Sequence, residues 1–573
     1  MLSGCDVADI QRLFLQELRA LSEEGEQFAA SFPEAARFLD PRQIADGDPY
    51  VERLAEGLSF LTARIRETLE SEEDGLTRHL LEMLVPDLEQ PLPSLVVVEF
   101  EPRLFFPSET ALAAGSEVRT HRLFETDTAC RFTLCHDVPI RSYGVSRAAA
   151  QQTDSGATWL ELELETYSEL ARGPWQERIP FYLHGDPATV WAVRFALLRR
   201  VGRIQVSRGD DWRDAKHLRF ERLDQPGYAS ERSYPGPFSD ARDFLCADER
   251  FRFVELVGAE SEEMDVEEPM RIRVEFQGAF PRGLARAVGP GLFRCHTGIA
   301  LNRFVETCQA TEWDHTSTTA PVVAVEGAYR EILDVVDVQG VPSGGAAKRI
   351  KYHKYSSYRT LANQAHYQIL RHARNDGTVA TRIALGGFDL DKDLVDLTLS
   401  VQAECSDGPV PHDLLQPDDI TLPGPGIPEE ILFGPLNRPS QSFRPPASSD
   451  PRSRLLAFAA GHFEGWLHVD RLKDALRHVL WDPSESKRSL IESIQSIVTA
   501  NDHVFIRDIA WRRMHVTMVL RDTTCTPDTW DRLGTIDAFG SILFAIVQDA
   551  TPIGSRTKLT ILVEPSGVKL ERE

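Results

Sequence analysis

The chain has 573 residues, of which 42% are hydrophobic and 26% are charged, so it is long enough for two to four domains and has a globular composition. Its formal net charge of −25 at pH 7 argues against nucleic acid and anionic membrane surfaces as main partners, because both carry charge of the same sign. No basic start is followed by an apolar core, and no run approaches the ~20 apolar residues that a spanning helix needs. We therefore expect a cytoplasmic protein without direct membrane insertion.

The N-terminal region, residues 1–94, is predicted to be helical. A first helix carries one apolar stripe formed by Ile10, Leu13, Phe14, Leu18, Leu21 and Phe28. The capping box Ser31–Glu34 starts a short second helix, and Asp48 with Pro49 starts a third, over residues 48–70. A fourth helix, around residues 75–84, ends at Pro86, after which the chain becomes extended.

The third predicted helix has two distinct faces. Its main apolar stripe consists of Val51, Leu54, Leu58, Leu61, Ile65 and Leu69. A second face carries Arg53, Gly57, Phe60 and Arg64, again at helical spacing. A glycine costs about 1 kcal/mol relative to alanine inside a helix, so we expect a close neighbour at Gly57 to offset that cost. With such a neighbour, other helices of a bundle pack against both faces of this helix. The alternative is that one compact domain folds around it.

From Leu95 the apolar period changes to two, which predicts a β-rich middle domain over residues 95–345 that includes one helix at 189–201. Residues 346–573 are predicted to form a C-terminal α+β domain with a helix at 471–481. A proline-rich stretch at 409–451 is predicted to be an extended connector on the surface, because so many prolines exclude elements of ordinary length. The predicted fold class is α+β.

Motifs for catalysis are absent from the sequence. It contains no P-loop, no GxSxG and no HExxH segment. The eight cysteines include no CxxC pair, and the dipeptides Cys135-His136 and Cys295-His296 would each offer one metal ligand, because adjacent strand residues point to opposite faces. We therefore predict no catalytic residues, no metal site and no cofactor.

One basic segment interrupts this acidic chain, at residues 348–374. Its arginines and lysines alternate with tyrosines, and we assign partner binding to Tyr358, Arg359, Arg371 and Arg374. Tyrosine and arginine are common anchors of protein interfaces, which favours an exposed surface that docks an acidic neighbour. Base stacking on single-stranded nucleic acid is the alternative, and the overall charge disfavours it.

Two N-terminal segments carry a family pattern: LFLQELRALSEEGEQFAASFPEAARFL, and residues 48–65, which read acidic-Pro-x-Val-Glu-Arg-Leu-x-Glu-Gly-x-x-Phe-Leu-x-Ala-Arg-Ile. They resemble the TssF (ImpG/VasA) family of type VI secretion baseplate proteins, which opens with a helix of the first kind and continues with the second segment. The exit PLPSLVVVEF follows, and FYLHGD, FRCHTGIALNRF, AECSDGPVPHDL and RSRLLAFAAGHFEGWLHVDRLKDALRHVL occur in the family's order. The chain departs from the family at AAGHFEGW and IGSRTK, which marks a divergent member.

This resemblance implies a structural role. Two TssF copies join one TssG in a wedge, similar to the heterotrimeric wedge of contractile phage baseplates, and six wedges surround the VgrG spike hub beneath the sheath. Implied partners are a TssG-like subunit, a second copy of this chain, TssK, TssE and the VgrG hub, at the cytoplasmic face of the inner-membrane complex. N-terminal helices of such proteins form a three-chain bundle, in which Gly57 and Phe60 would mark the second helix face. The alternatives are a wedge protein of a related contractile particle, such as a tailocin or an extracellular injection system, and an envelope-associated hydrolase.

Overall fold

A computed structural model gives the architecture of the chain. It describes residues 5–32, 53–66, 69, 80–81, 88, 90–102, 110–123, 126, 128–152, 158–166, 173–208, 211–228, 236–264, 269–278, 280–281, 283–313, 317, 319–325, 329–342, 349–355, 364–373, 379–387, 397–428, 430–445, 467–482, 484–506, 509–552 and 554–573.

The N-terminal region contains two well-described helices, as predicted. Helix α1 (Cys5–Ser31) is 27 residues long, and helix α2 covers residues 53–66. Leu13 is the buried residue of the predicted α1 stripe, whereas Phe28 at its far end is exposed. The capping box, which continues past residue 32, the caps Asp48 and Pro49, and most of the fourth predicted helix lie outside the described residues.

Among the described residues, one sheet joins strands from distant parts of the chain. Its order is β26 (Ile420–Pro423), β3 (Glu117–Thr120), β4 (Arg131–Leu134), β17 (Thr297–Leu301), β1 (Leu95–Pro102) and β27 (Ile431–Pro435). A two-stranded antiparallel sheet of β2 (Thr110–Leu112) and β5 (Val138–Ile140) packs into the same core. The alternation seen in the sequence from Leu95 therefore predicts a central strand correctly.

This sheet corrects the prediction of an extended proline-rich connector at residues 409–451. Instead of lacking elements, the described part of 409–451 contains helix α6 (Val410–Leu414), a 3₁₀ turn (Pro417–Asp419) and both edge strands, β26 and β27. Proline lacks an N–H for the strand ladder, so it is tolerated at sheet edges and strand ends, where Pro423 and Pro435 lie. High proline density therefore marked the borders of a sheet.

The centre of the chain forms two further sheets around helix α3 (Pro187–Arg199). The first has the order β11 (Asp211–Asp214), β10 (Val201–Arg208), β15 (Met270–Phe276), β7 (Thr158–Thr166) and β6 (Tyr143–Gln152). The second has the order β12 (Arg219–Arg222), β13 (Phe253–Val257), β9 (Arg178–Leu183) and β16 (Phe293–Arg294), and β14 (Glu263–Met264) pairs with β8 (Gly173–Pro174). The helix predicted at 189–201 is α3; it begins at Pro187, capped by the Asp186 side chain, so that prediction is confirmed.

The largest sheet among the described residues has eight strands and spans the predicted domain boundary. Its order is β18 (Phe304–Thr307), β25 (Leu397–Ser406), β21 (Glu331–Pro342), β22 (Ile350–Lys354), β23 (His366–Ala373), β24 (Val379–Gly386) and β20 (Thr319–Pro321), with β19 (Thr311–Trp313) also on β25. Strand β21 pairs along ten positions with β25. The predicted division between residues 345 and 346 therefore runs through a continuous sheet.

The C-terminal sheet is built around a parallel crossover. Its order is β28 (Ile494–Ile506), β29 (Ile509–Arg521), β30 (Arg556–Glu564) and β31 (Val568–Arg572), and helix α9 (Trp530–Asp549) connects the parallel pair β29 and β30. Helix α9 crosses α3 at Gly534, where an added Cβ would lie 2.1 Å from the Trp191 carbonyl oxygen. Only glycine permits that close approach.

The remaining helices complete a mixed architecture. They are α4 (Pro237–Cys246), α5 (Leu284–Ala287), α7 (Val469–Val479) and α8 (Glu485–Glu492), with 3₁₀ turns at Glu249–Arg252, Ala259–Ser261 and Pro290–Leu292. The helix predicted at 471–481 is α7. One buried core includes residues of α3, β7, β15, α7 and α9, so the middle and the C-terminal part pack as one unit. The α+β prediction is confirmed.

Candidate partner-binding surfaces

Helix α2 presents three faces, spaced about 120° apart by the helical period. One face carries the large aliphatic side chains, a second carries Gly57 and Phe60, and a third carries Ala55, Ser59 and Ala63 at four-residue spacing. Only the third face is buried: Ser59 and Ala63 are 2% and 0% exposed. A row of small residues lets neighbouring chain approach closely, so this is the face on which α2 packs within its own chain.

An ion pair fixes α2 against the first helix. The Arg66 guanidinium donates to a carboxylate oxygen of Glu17 at 2.8 Å. Leu13 lies one turn before Glu17 on the same side of α1 and is 1% exposed. Sequence reasoning missed this face, although the spacing of Ala55, Ser59 and Ala63 is a readable signal for close helix packing.

The aliphatic face of α2 is open. Leu54, Leu58, Leu61, Ile65 and Leu69 are each between 50% and 75% exposed, and Val51 lies outside the described residues. Leu15 and Phe28 of helix α1 are also exposed, as is Phe32 just after it, and the ring centroids of Phe28 and Phe32 are 5.2 Å apart. Scattered apolar residues on a surface are ordinary, but a continuous stripe along a helix marks an interaction site.

The second face of α2 is also open. Arg53, Gly57, Phe60 and Arg64 are all exposed, with Phe60 at 47%. A Cβ added at Gly57 would meet no described atom within 4 Å. Nothing in the described chain therefore uses the missing side chain, and the role of this face in partner binding stays a prediction.

The basic segment differs from the exposed docking surface that we expected, at least for Arg371. That side chain lies on β23 and is only 11% exposed; it donates to the Leu333 carbonyl oxygen at 2.6 Å and lies 3.8 Å from Asp334. Lys354 also binds Asp334, at 3.2 Å, and the Tyr367 ring is buried with its hydroxyl on the Val335 carbonyl oxygen. The other three residues, Tyr358, Arg359 and Arg374, lie outside the described residues, so their assignment remains a prediction.

The two Cys-His dipeptides have structural roles. The ring nitrogens of His296 lie 3.0 and 2.9 Å from the carbonyl oxygens of Pro139 and Tyr143. The ring of His136 accepts a hydrogen bond from the Ile299 N–H at 3.3 Å. Burial raises the pKa of the Cys295 thiol to about 12, so it stays protonated at neutral pH. Over the described part of the chain, no three His, Cys, Asp or Glu side chains converge as metal ligands.

A β-rich body joined to a helix with two open faces, one of them a continuous aliphatic stripe, is typical of a subunit of a larger assembly, because such exposed stripes mark interaction sites. The chain belongs to the TssF family of the type VI secretion system, whose model matches residues 7–572. The resemblance read from the sequence is therefore confirmed. No described helix is long and apolar enough to cross a bilayer.

Known relatives agree with this family. A Pseudomonas aeruginosa protein, type VI secretion system component TssF1, is 34% identical over 139 residues, which cover 23% of this chain and 22% of that relative. The alignment thus spans about a fifth of the curated relative. A chain of the solved TssK-TssF-TssG baseplate subcomplex has a similar fold, with a TM-score of 0.72, 20% identity, and coverage of 91% of this chain and 98% of that one. A chain of a type VI baseplate complex has a TM-score of 0.62, 19% identity and 98% coverage of both chains.

Proposed function

We propose that this protein is a structural subunit of the type VI secretion baseplate wedge. Two copies join one TssG-like subunit, and the wedge contacts a TssK-like chain, TssE and the VgrG hub. The role is non-enzymatic, and the protein acts in the cytoplasm, where the baseplate docks at the inner-membrane complex. The solved subcomplex contains TssK, TssF and TssG, which supports a TssG-like and a TssK-like partner.

The observation that carries this proposal is the pair of open faces on α2. A helix that packs on its own chain by one small-residue face, and offers two further faces, has the geometry of one member of a three-helix bundle. Complete burial of a leucine-sized side chain contributes about 1.5–3 kcal/mol, so the aliphatic stripe alone can hold a partner helix. Each of the two open faces would take one helix, from a TssG-like subunit and from a second copy.

Co-expression with the neighbouring TssG-like gene product tests the proposal. We expect the isolated chain to aggregate and the co-expressed pair to be soluble, because the partner covers the aliphatic face. Native mass measurement should give two copies of this chain for one of the partner. A stable monomer that does not bind the partner would contradict the proposal.

A further inference from the structure

The molecule contains a buried charge cluster with an excess of arginine, outside the surfaces described above. Asp537 of α9 is 2% exposed, and its carboxylate binds Arg199 of α3 and Arg572 of β31, each at 2.9 Å. Arg194, one turn before the end of α3 and 1% exposed, has its Nη1 at 3.7 Å from the second carboxylate oxygen. Three guanidinium groups therefore converge on one carboxylate.

The charges in this Asp537 cluster do not balance. Burial lowers the pKa of Arg194 to about 10, which still leaves it protonated at neutral pH. Among the residues that the structure describes, its Nε and Nη1 have no hydrogen-bond acceptor, and neither has Nε of Arg572. Buried charges are normally paired, because an unpaired one loses its hydration without compensation.

The neighbouring carboxylate does not supply the missing charge. Arg222 of β12 lies close enough to lower the pKa of both Arg194 and Arg572, and it pairs with the exposed Asp224 at 2.6 Å. This pair is neutral in itself, so the excess of two positive charges remains. Arg199 and Arg222 are about one third exposed, whereas Arg194 is buried.

Two other buried clusters of this chain come closer to charge balance. Arg242 and Arg250 are matched by Asp243 and Asp240. In the other cluster, Arg252 and Lys487 both bind Asp248, at 2.6 and 2.8 Å, so two cations share one carboxylate where the Asp537 cluster has three. The Asp537 cluster differs from both because it lacks two negative charges among the described residues.

We propose that the Asp537 cluster binds an oxyanion, which supplies the missing negative charge. Guanidinium groups bind phosphate and carboxylate oxygens in pairs, so either chemistry fits. The source is a free phosphate-type anion or a carboxylate side chain of a partner chain. Bound there, the anion joins α3, α9 and β31, and so stabilises the contact between the middle and the C-terminal part.

Thermal unfolding of the full-length chain tests this site, with Leu58→Glu and Ile65→Glu on the aliphatic face of α2 in every sample to keep the chain soluble. Millimolar sodium phosphate or sodium acetate is compared with sodium chloride at equal ionic strength. We expect an added oxyanion to raise the midpoint in a saturable way. The variants Arg572→Met and Arg199→Met should lose that rise; Arg199 is the milder change because it is partly exposed. Arg477→Met, which removes an exposed arginine paired with Glu492, is the matched control and should retain it.

The outcomes separate the sources. A rise with phosphate supports a free phosphate-type ligand, whereas a rise with acetate alone supports a carboxylate ligand, the chemistry that a partner side chain would supply. A rise that survives both cluster variants reflects general exclusion of phosphate from protein surfaces and overturns the proposal. So does an unchanged midpoint with both anions when the Asp537 cluster is intact.

Discussion

The side-chain nitrogen of Asn302 donates a hydrogen bond to a carboxylate oxygen of Asp407 at 2.8 Å, and the Asp407 N–H donates back to Asn302 Oδ1 at 2.6 Å. Both side chains are buried. The same Asn302 nitrogen also donates to the Arg131 carbonyl oxygen at 2.8 Å. Asn302 follows β17 of the six-stranded sheet and Asp407 follows β25 of the eight-stranded sheet, so this pair joins the two sheets.

Replacement of Asn302 by leucine should destabilise that junction. Leucine has a similar volume but leaves the Asp407 N–H and the Arg131 carbonyl oxygen without this partner, at a cost of about 1–3 kcal/mol for each buried group. We expect a lowered midpoint in thermal or denaturant unfolding. The control is Gln309→Ala, at an exposed position, which should change stability by less than about 0.5 kcal/mol. Equal midpoints for Asn302→Leu and the wild type would show that the two sheets are held by other contacts.

Charges placed on the aliphatic face of α2 should separate solubility from assembly. The double variant Leu58→Glu, Ile65→Glu should reduce aggregation of the isolated chain, because both side chains are at least half exposed, and should prevent co-purification of the TssG-like partner. The measurements are size-exclusion chromatography and pull-down. Leu432→Glu, at an equally exposed leucine on edge strand β27, is the control and should retain the partner. Partner binding by the double variant would exclude this face as the interface.

Local sequence signals predicted what depends on local structure. The spacing of apolar residues predicts helices α1, α3 and α7, and the change of apolar period at Leu95 predicts strand β1. Long-range pairing left no such signal: β1 is bordered by β27, with Val98 opposite Pro435, and a local pattern cannot show that partner. For this reason local patterns predict a connector at 409–451 and a domain division after residue 345, although the described chain forms sheets at both places.

The candidate surfaces could likewise be predicted only where local helical spacing determines them. Helical spacing grouped Gly57 with Phe60 correctly on one open face of α2. It could not tell which face the chain itself covers, because the burial of Ser59 and Ala63 depends on tertiary packing. Sequence order does not reveal that the strand of Arg371 brings it against Asp334, so the low exposure of this side chain could not be predicted, and its role in partner binding stays a prediction.

Charge reversal at Arg371 should therefore affect folding directly. Arg371→Glu would place a carboxylate beside Asp334 and leave the Leu333 carbonyl oxygen without its donor, at a cost of about 2–3 kcal/mol. We expect a lower midpoint of thermal unfolding. Lys351→Glu is the control: Lys351 is 64% exposed and 3.5 Å from Asp337, so its loss should cost about 1 kcal/mol or less. An unchanged midpoint for Arg371→Glu would show that its contacts are dispensable and return it to the set of docking residues.

The buried His136 should make stability depend on pH. Burial lowers the pKa of its imidazole below the ordinary 6.5, so the folded state binds fewer protons than the unfolded state near pH 6. The contribution of the neutral ring is present above pH 6.5 and is lost as pH falls through the lowered pKa, at about 1.4 kcal/mol for each unit of depression. The stability of the wild type relative to His136→Gln should be greater at pH 7.5 than at pH 5.5, as measured by thermal unfolding. A difference that does not change with pH would show that His136 titrates normally.

The open space at Gly57 allows fold and assembly to be tested separately. Gly57→Leu should leave the isolated fold intact, because a Cβ added at this position meets no described atom within 4 Å. Replacing glycine should also favour the helix by about 1 kcal/mol on intrinsic propensity scales. If a partner helix packs closely there, the same change should block wedge assembly by steric overlap. Circular dichroism and pull-down of the TssG-like partner measure the two effects, which have opposite signs.

Two variants of the same helix complete this test. Phe60→Ala should weaken assembly, by about 3 kcal/mol if the partner buries the ring completely, and should hardly affect the isolated chain, in which the ring is about half exposed. Ala63→Leu, in contrast, should affect the isolated chain. Ala63 is fully buried within the chain, so a larger side chain should disrupt the packing of α2 before any partner binds. A Gly57→Leu protein that binds its partner normally would show that the face of Gly57 and Phe60 is not an interface, and the aliphatic face would then carry assembly alone.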